Sequence, residues 1–143
     1  MATSSATWHA RGTAAGAAAV PAAYAIGALL LVGEATVHVQ QYFWLFHGVS
    51  WIGPLFLANA AACLLTIAGL AYPRTRPLAA LAGVVISAVA LLSLVISYGT
   101  GLFGWQEVGF RTPIALAAIF EAGAVVFLSA ALAARIALPE ARS

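Results

Sequence analysis

The apolar stretch between residues 17 and 42 carries three polar side chains at helical spacing: Glu34, His38 and Gln41. Their spacing of i, i+4 and i+7 places them on one stripe of a helix. A carboxylate, an imidazole and an amide side by side can hold a proton, a metal ion or a small polar group. An ionisable side chain at membrane depth is costly unless it is paired, so this stripe needs partners on other elements.

Polar residues of three later apolar stretches are the candidate partners. Glu34 lies about eight residues, or roughly 12 Å, from the end of its own stretch. Glu121 lies at a similar depth in the last stretch. Because lipid offers no hydrogen bonds, such groups should face the interior of a bundle. The sequence therefore predicts one polar pocket, open toward the outside of the membrane, built from Glu34, His38, Gln41, Asn59, Ser93 and Glu121.

The composition is that of a membrane protein. Of the 143 residues, 64% are hydrophobic and only 7% are charged, against about 25% charged residues in soluble domains. The net charge of +2 is small and the arginines are scattered, which argues against a nucleic-acid partner. The single cysteine excludes an internal disulfide. The partner that the composition predicts is the lipid bilayer.

Four apolar segments are long enough to cross a bilayer, which needs about 20 residues. The predicted spans cover about 17–42, 54–72, 77–98 and 113–137, and the last three open with Pro54, Pro77 and Pro113. Proline is favoured at a helix start because its missing N–H has no partner there. Residues 1–16 are predicted to be a disordered cytoplasmic tail, and residues 139–143 a second cytoplasmic tail. The predicted fold class is all-α, a four-helix transmembrane bundle.

The arginines predict the orientation. Arg111 alone falls on one side of a four-span arrangement, and five fall on the other: Arg11, Arg74, Arg76, Arg135 and Arg142. Arginine is enriched on the cytoplasmic side of membrane proteins. Both termini should therefore be cytoplasmic, and two aromatic loops should face outward. We expect a multi-pass protein of the plasma membrane.

The two aromatic loops carry further candidate site residues. His47 and Trp51 in the first loop could line the mouth of the pocket or anchor the loop at the membrane interface. In the second loop, Glu107 and Arg111 are predicted to form an ion pair rather than a substrate contact. Trp105 lies beside them in the sequence.

The sequence predicts no cofactor, although two kinds have candidate ligands. Glu34, His38 and Glu121 could supply three ligands to a metal ion with an open position. Haem would need His38 or His47 as its axial ligand, and His47 falls in a loop outside the membrane.

Three phrases of the sequence resemble a family of small four-span integral membrane proteins of actinomycetes. They are the stretch from His38 to Trp44, WIGPLFLANA at Trp51–Ala60 and GLFGWQE at Gly101–Glu107. The resemblance extends from the first span to the fourth. It implies the four-span fold and a plasma-membrane setting, and it implies no particular activity.

Three functional interpretations follow, and the first is preferred. The pocket binds a proton, a cation or a small amphipathic ligand, in a transport component or an accessory subunit. Alternatively, the chain is a membrane enzyme for proton transfer or metal-assisted chemistry on a lipid-soluble substrate. Third, it is a structural subunit of a larger membrane complex. Apart from these three interpretations, the polar residues could serve only to pin the helices together. A transporter of four short helices would need to form a homo-oligomer.

Overall fold

The computed structural model describes the backbone of residues 5–137 and the side chains of residues 18–137. Helix α1 covers Ser5–Gln41 and continues as a π-helical turn, Tyr42–Phe46. Helices α2, α3 and α4 cover Ile52–Ala71, Arg76–Gly99 and Thr112–Ala137. Within residues 5–137 the only extended pairing is a single β-bridge between Leu102 and Trp105. The all-α prediction is confirmed.

Four segments of the described chain are long and apolar enough to span a membrane: Ala18–Phe46, Ile52–Ala71, Arg76–Gly99 and Thr112–Ala137. Each helix packs against its neighbours in sequence, and α1 also packs against α4. The four helices thus form a closed ring, the arrangement of a multi-pass membrane bundle. We call the end with the two aromatic loops the aromatic end, and the end with the α2–α3 turn the arginine end.

The first and second helices differ from the predicted spans. A disordered tail is predicted over residues 1–16, but α1 already begins at Ser5. Alanine, which recurs through residues 6–19, is the strongest helix former. Residues 1–4 and the predicted tail at 139–143 lie outside the described residues. Helix α2 begins at Ile52, so Pro54 is its third residue, where the backbone N–H would have no partner within the helix.

Small residues bring the helices together at the arginine end. Gly27 of α1 lies against Leu128 of α4, so closely that a Cβ atom would stand 2.3 Å from Leu128 Cδ2. Gly69 of α2 lies similarly against Ala79 of α3. Small residues at helix contacts are the usual means of close packing in membranes. The α2–α3 pair is therefore in direct contact next to the short turn that joins these two helices.

The α2–α3 turn is stabilised by side chains of its own. The Thr75 hydroxyl donates to the Gly69 carbonyl at 2.7 Å, and Arg76 Nε donates to the Leu70 carbonyl at 2.9 Å. These bonds satisfy carbonyls that the end of a helix leaves without partners.

The aromatic end is closed by a tight loop after the π-helical turn. Phe46 is buried, and its ring stacks on Phe56 with centroids 4.5 Å apart. Trp51 has a φ of +65°, and the N–H of Ile52 donates across it to the carbonyl of Ser50 at 2.8 Å. This is a γ-turn of the rare, strained kind. The predicted loop from Tyr42 to Gly53 is thus shorter, because helical structure persists through Phe46.

Gly53 makes this short loop possible. A Cβ atom at this position would lie 2.4 Å from the carbonyl oxygen of Phe46, a backbone atom that cannot rotate away. Gly48, in the same loop, has nothing within 4 Å of its Cβ position.

We predict that Gly53→Ala destabilises the fold by about 1–3 kcal/mol, the usual effect of overpacking. The measurement is the free energy of unfolding of the purified protein in micelles. Gly48→Ala is the matched control and should change stability by less than about 0.5 kcal/mol. Equal effects of the two substitutions would contradict the close contact between Gly53 and Phe46.

Candidate functional site

Glu34 lies at the centre of the bundle and is fully buried. The Ser87 hydroxyl of α3 donates to Glu34 Oε2 at 2.6 Å. The other oxygen, Oε1, has no hydrogen-bond partner among the described residues. The contact joins α1 to α3 across the middle of the ring, where protein side chains enclose the carboxyl group.

Ser87 is the site residue that the sequence analysis missed. The sequence analysis favoured Ser93 instead. Ser93 lies nearer the end of α3, and its hydroxyl makes no hydrogen bond with the described part of the chain. A signal for Ser87 does exist in the sequence. Ala80, Gly83 and Ser87 form a stripe of small residues at helical spacing, and all three are buried. Such a stripe marks the face that packs against other helices.

His38 connects the stripe on α1 to α4. Its Nδ1 lies 2.9 Å from the carbonyl oxygen of Glu34. A carbonyl can only accept, so Nδ1 carries the hydrogen of this bond. The other ring nitrogen, Nε2, lies 3.7 Å from Glu121 Oε1. Glu121 is buried as well, and its Oε2 lacks a partner among the described residues.

The two acids and the histidine thus come together as the sequence analysis proposed. One ligand-type atom from each of Glu34, His38 and Glu121 lies within 4.8 Å of the other two. We call these three residues the Glu–His–Glu cluster. It joins α1 to α4 directly, and through Ser87 it joins α1 to α3. The cluster therefore holds helices together. However, Glu34 Oε1 and Glu121 Oε2 have no hydrogen-bond partner among the described residues, so helix pinning does not account for these two oxygens.

A cavity of about 420 Å³ lies beside the cluster, in the half of the bundle nearer the aromatic end. His38 and Glu121 line it, whereas Glu34 lies behind them. The rest of its wall is mainly aliphatic and aromatic. Three further residues that the sequence analysis assigned to a pocket also line the cavity: Gln41, Asn59 and Ser93. The volume is within the usual range of small-molecule sites, roughly 300–1,000 Å³.

The exposed part of the cavity wall lies on α2 and α3, which indicates a sideways opening between these two helices. Its most exposed lining residues are Leu55 and Ala58 on α2, and Val85 and Val89 on α3. These helices touch at the arginine end and leave a gap toward the aromatic end. In a membrane such a gap faces the lipid chains. The sequence analysis predicted a pocket open toward the outside, whereas these exposed lining residues lie on the lipid-facing flank.

The second aromatic loop covers the aromatic end of the cavity. Phe103 and Gly104, with φ of +48° and +81°, form a tight turn between the bridged residues Leu102 and Trp105. Trp105 lines the cavity and packs edge-on against Phe46, with centroids 5.1 Å apart. The turn thereby places an indole ring over the polar interior.

The predicted Glu107–Arg111 ion pair is present at this end. Arg111 Nη2 donates to Glu107 Oε1 at 2.8 Å, and Trp105 Nε1 donates to Glu107 Oε2 at 3.3 Å. All three side chains line the cavity. His47 and Trp51 of the first loop are exposed and do not line it. Their contact with a ligand, considered from the sequence, has no support in this geometry.

Cys63 has a structural role. Its thiol is fully buried and donates to Asn59 Oδ1 at 3.4 Å. This bond orients the Asn59 amide at the edge of the cavity. The geometry agrees with the interpretation of Cys63 as a small packing residue.

Comparisons of the chain with protein-family models, with curated proteins and with solved structures find no match. The resemblance to the four-span actinomycete proteins therefore stays a prediction. Inferences about function rest on the geometry of the cluster and the cavity.

We predict that Ser87→Ala lowers the free energy of unfolding by about 1–3 kcal/mol, because it removes the hydrogen-bond donor to the buried Glu34 carboxyl. Ser93→Ala is the matched control on the same helix and should cost less than about 0.5 kcal/mol. Thermal or denaturant unfolding in micelles measures both. A larger effect of Ser93→Ala would mean that Ser93 supports the cluster instead.

Proposed function

We propose that this protein binds a small amphipathic molecule taken from the bilayer, with its polar group at His38 and Glu121 and its apolar part in the cavity. The observation that carries the proposal is the sideways opening between α2 and α3. A site whose exposed wall faces lipid is suited to a ligand that is already dissolved in lipid.

The polar end of the site favours a ligand that donates hydrogen bonds or carries positive charge. Glu121 Oε2 is a buried acceptor without a partner in the described structure. Glu34, which lies behind His38 and Glu121 as seen from the cavity, adds a second carboxyl group with an oxygen that has no hydrogen-bond partner among the described residues. Buried polar groups are normally hydrogen-bonded, so an amine or a hydroxyl group would complete the site. A carboxylate would meet two acids.

The apolar walls supply the affinity for the rest of the ligand. Burying apolar surface contributes about 25 cal/mol per Å², although the ligand gains only the difference between lipid and protein surroundings. Selectivity must therefore come mostly from the polar end. We propose that the protein acts in the plasma membrane, as a carrier component or as an accessory subunit that presents the bound molecule to a partner.

The binding probe is decylamine with bromine on its far carbon, because bromine quenches tryptophan fluorescence on contact. The chain has four tryptophans, and Trp105 lines the cavity. Replacement of Trp8, Trp44 and Trp51 by phenylalanine leaves Trp105 as the only tryptophan that reports quenching. The titration uses metal-free protein in lipid nanodiscs.

We predict that Ala62→Phe weakens binding of this probe by about tenfold or more, which corresponds to about 1.4 kcal/mol. Ala62 lines the cavity, so the added ring occupies ligand space. Ala61→Phe is the matched control, because Ala61 is the preceding residue, is exposed and does not line the cavity. Saturable quenching that is the same in both variants would contradict binding in the cavity.

A second prediction concerns the polar group of the ligand. Bromodecanoic acid of the same length should bind at least about tenfold more weakly than the amine, because its carboxylate meets Glu34 and Glu121 without an opposite charge. Glu121→Gln should reduce this preference, whereas Thr36→Val, at an exposed residue of α1 that does not line the cavity, should leave it unchanged. A wild-type protein that prefers the acid would overturn the proposed chemistry of the site.

A further inference from the structure

The Glu–His–Glu cluster has the geometry of a metal site as well as that of a polar pocket end. Sites with three protein ligands and one open position are typical of exchangeable or catalytic zinc. The cluster offers one imidazole nitrogen and two carboxylates, and one ligand-type atom of each residue lies within 4.8 Å of the other two. Acidic residues often lie close together without binding a metal ion, but three further contacts around this cluster favour metal binding.

The first such contact fixes the histidine. His38 Nδ1 donates to the Glu34 carbonyl at 2.9 Å, so in the neutral ring the lone pair is on Nε2. Metal-binding histidines commonly donate their other N–H to a carbonyl or a carboxylate, which holds the ring in place. The Nε2 lone pair here is on the side of Glu121.

The second observation is a separation too long for a hydrogen bond. His38 Nε2 and Glu121 Oε1 lie 3.7 Å apart, beyond the roughly 3.2 Å limit of an N–H···O bond. Two ligands of one tetrahedral ion, with bonds of about 2.0–2.1 Å, lie roughly 3.3 Å apart. Small side-chain movements would bring these atoms to that distance.

The third observation is that the acids are incompletely paired. Glu34 is 0% exposed and Glu121 is 2% exposed, yet each has one oxygen without a hydrogen-bond partner in the described residues. The Ser87 hydroxyl donates a hydrogen bond to Glu34 Oε2. Hydrogen bonds of this kind commonly orient carboxylates that bind a metal ion. With both carboxyls ionised and the imidazole neutral, as metal binding requires, the three ligands would carry a charge of −2, which a divalent ion neutralises.

We infer that Glu34, His38 and Glu121 bind one divalent transition-metal ion, such as Zn²⁺, with an open coordination position toward the cavity. A mixed nitrogen and oxygen donor set suits zinc and its neighbours among the transition metals. Magnesium and calcium prefer six or more oxygen ligands, with several waters in the case of magnesium. The open position is on the cavity side, because His38 and Glu121 line the cavity and Glu34 does not.

The test begins with a chain in which His38 is the only histidine. The sequence contains three histidines, so His9→Ala and His47→Ala together give this background. The protein is purified through a tag without histidine, stripped with a chelator and dialysed against Zn²⁺. We expect one ion per chain by elemental analysis. No binding above the buffer level overturns the inference.

Two further substitutions in that background locate the ion. His38→Ala and Glu121→Gln should each weaken zinc binding by about 100-fold or more, because each removes a ligand. Glu107→Gln is the matched control, since Glu107 is the buried acid of the loop, paired with Arg111, and should have no effect. If the His38→Ala and Glu121→Gln variants both bind zinc as tightly as the background chain, the inference is overturned.

A spectroscopic measurement guards against variants that fail to fold. The electron paramagnetic resonance spectrum of Cu²⁺ bound to the background chain should show coupling to one directly bound nitrogen, Nε2 of His38. A signal from oxygen ligands alone would place the ion elsewhere and overturn the inference. The ion is tested without the bromodecylamine probe, and the probe is tested on metal-free protein. Either proposal can therefore fail without the other.

Discussion

A carboxyl group buried among helices that lipid surrounds is the constraint on which this structure depends. Lipid cannot hydrogen-bond to Glu34, and the residue is fully enclosed, so its partners must come from other helices or from a group bound inside the bundle. Ser87 supplies one from across the ring. The requirement fixes the rotation of α1 and α3 about their axes, because a turn of either helix would separate the two side chains. His38 then faces α4, where it meets Glu121.

The distribution of small residues explains why a cavity lies on one side of this centre and solid packing on the other. Toward the arginine end, Gly27 and Gly83 both accommodate Leu128, and Leu31 is fully buried beside them. Toward the aromatic end, the helices are kept apart by aromatic rings instead. Phe46 stacks on Phe56, which in turn lies against the ring of His38. Large flat side chains fill the corner of the bundle and leave the gap between α2 and α3 unfilled.

Much of this fold could be predicted from sequence, because membrane spans have a strong compositional signal. The burial of Glu34, His38 and Gln41 on one stripe followed from helical spacing and the cost of exposing polar groups to lipid. Glu121 followed from its matching depth. The choice between Ser87 and Ser93 could not be predicted in this way. The two serines are six residues apart, or about 9 Å along the helix. Only the offset of α3 against α1 decides which of the two serines meets the acid, and that offset depends on packing.

The direction of the cavity was also beyond sequence reasoning. Polar residues near one membrane surface indicate a pocket at that depth, but they do not show which wall is incomplete. That depends on where Trp105 and the Glu107–Arg111 pair lie after the second loop folds, and on how far α2 and α3 diverge. Both are consequences of tertiary contacts between segments that are distant in the chain.

The π-helical turn at Tyr42–Phe46 has a consequence for the angular phase of α1. Successive residues of an α-helix are about 100° apart, so Phe46, twelve residues after Glu34, would lie roughly 120° away from the acid's stripe. A π-helical turn bonds i to i+5 and advances by about 80° per residue, which returns Phe46 to within about 30° of that stripe. The turn thus acts as a one-residue insertion that corrects the phase. Loss of one residue between Tyr42 and Phe46 would therefore leave a regular α-helix whose final aromatic ring, now eleven residues after Glu34, lies about 20° from the acid's stripe and keeps its inward direction.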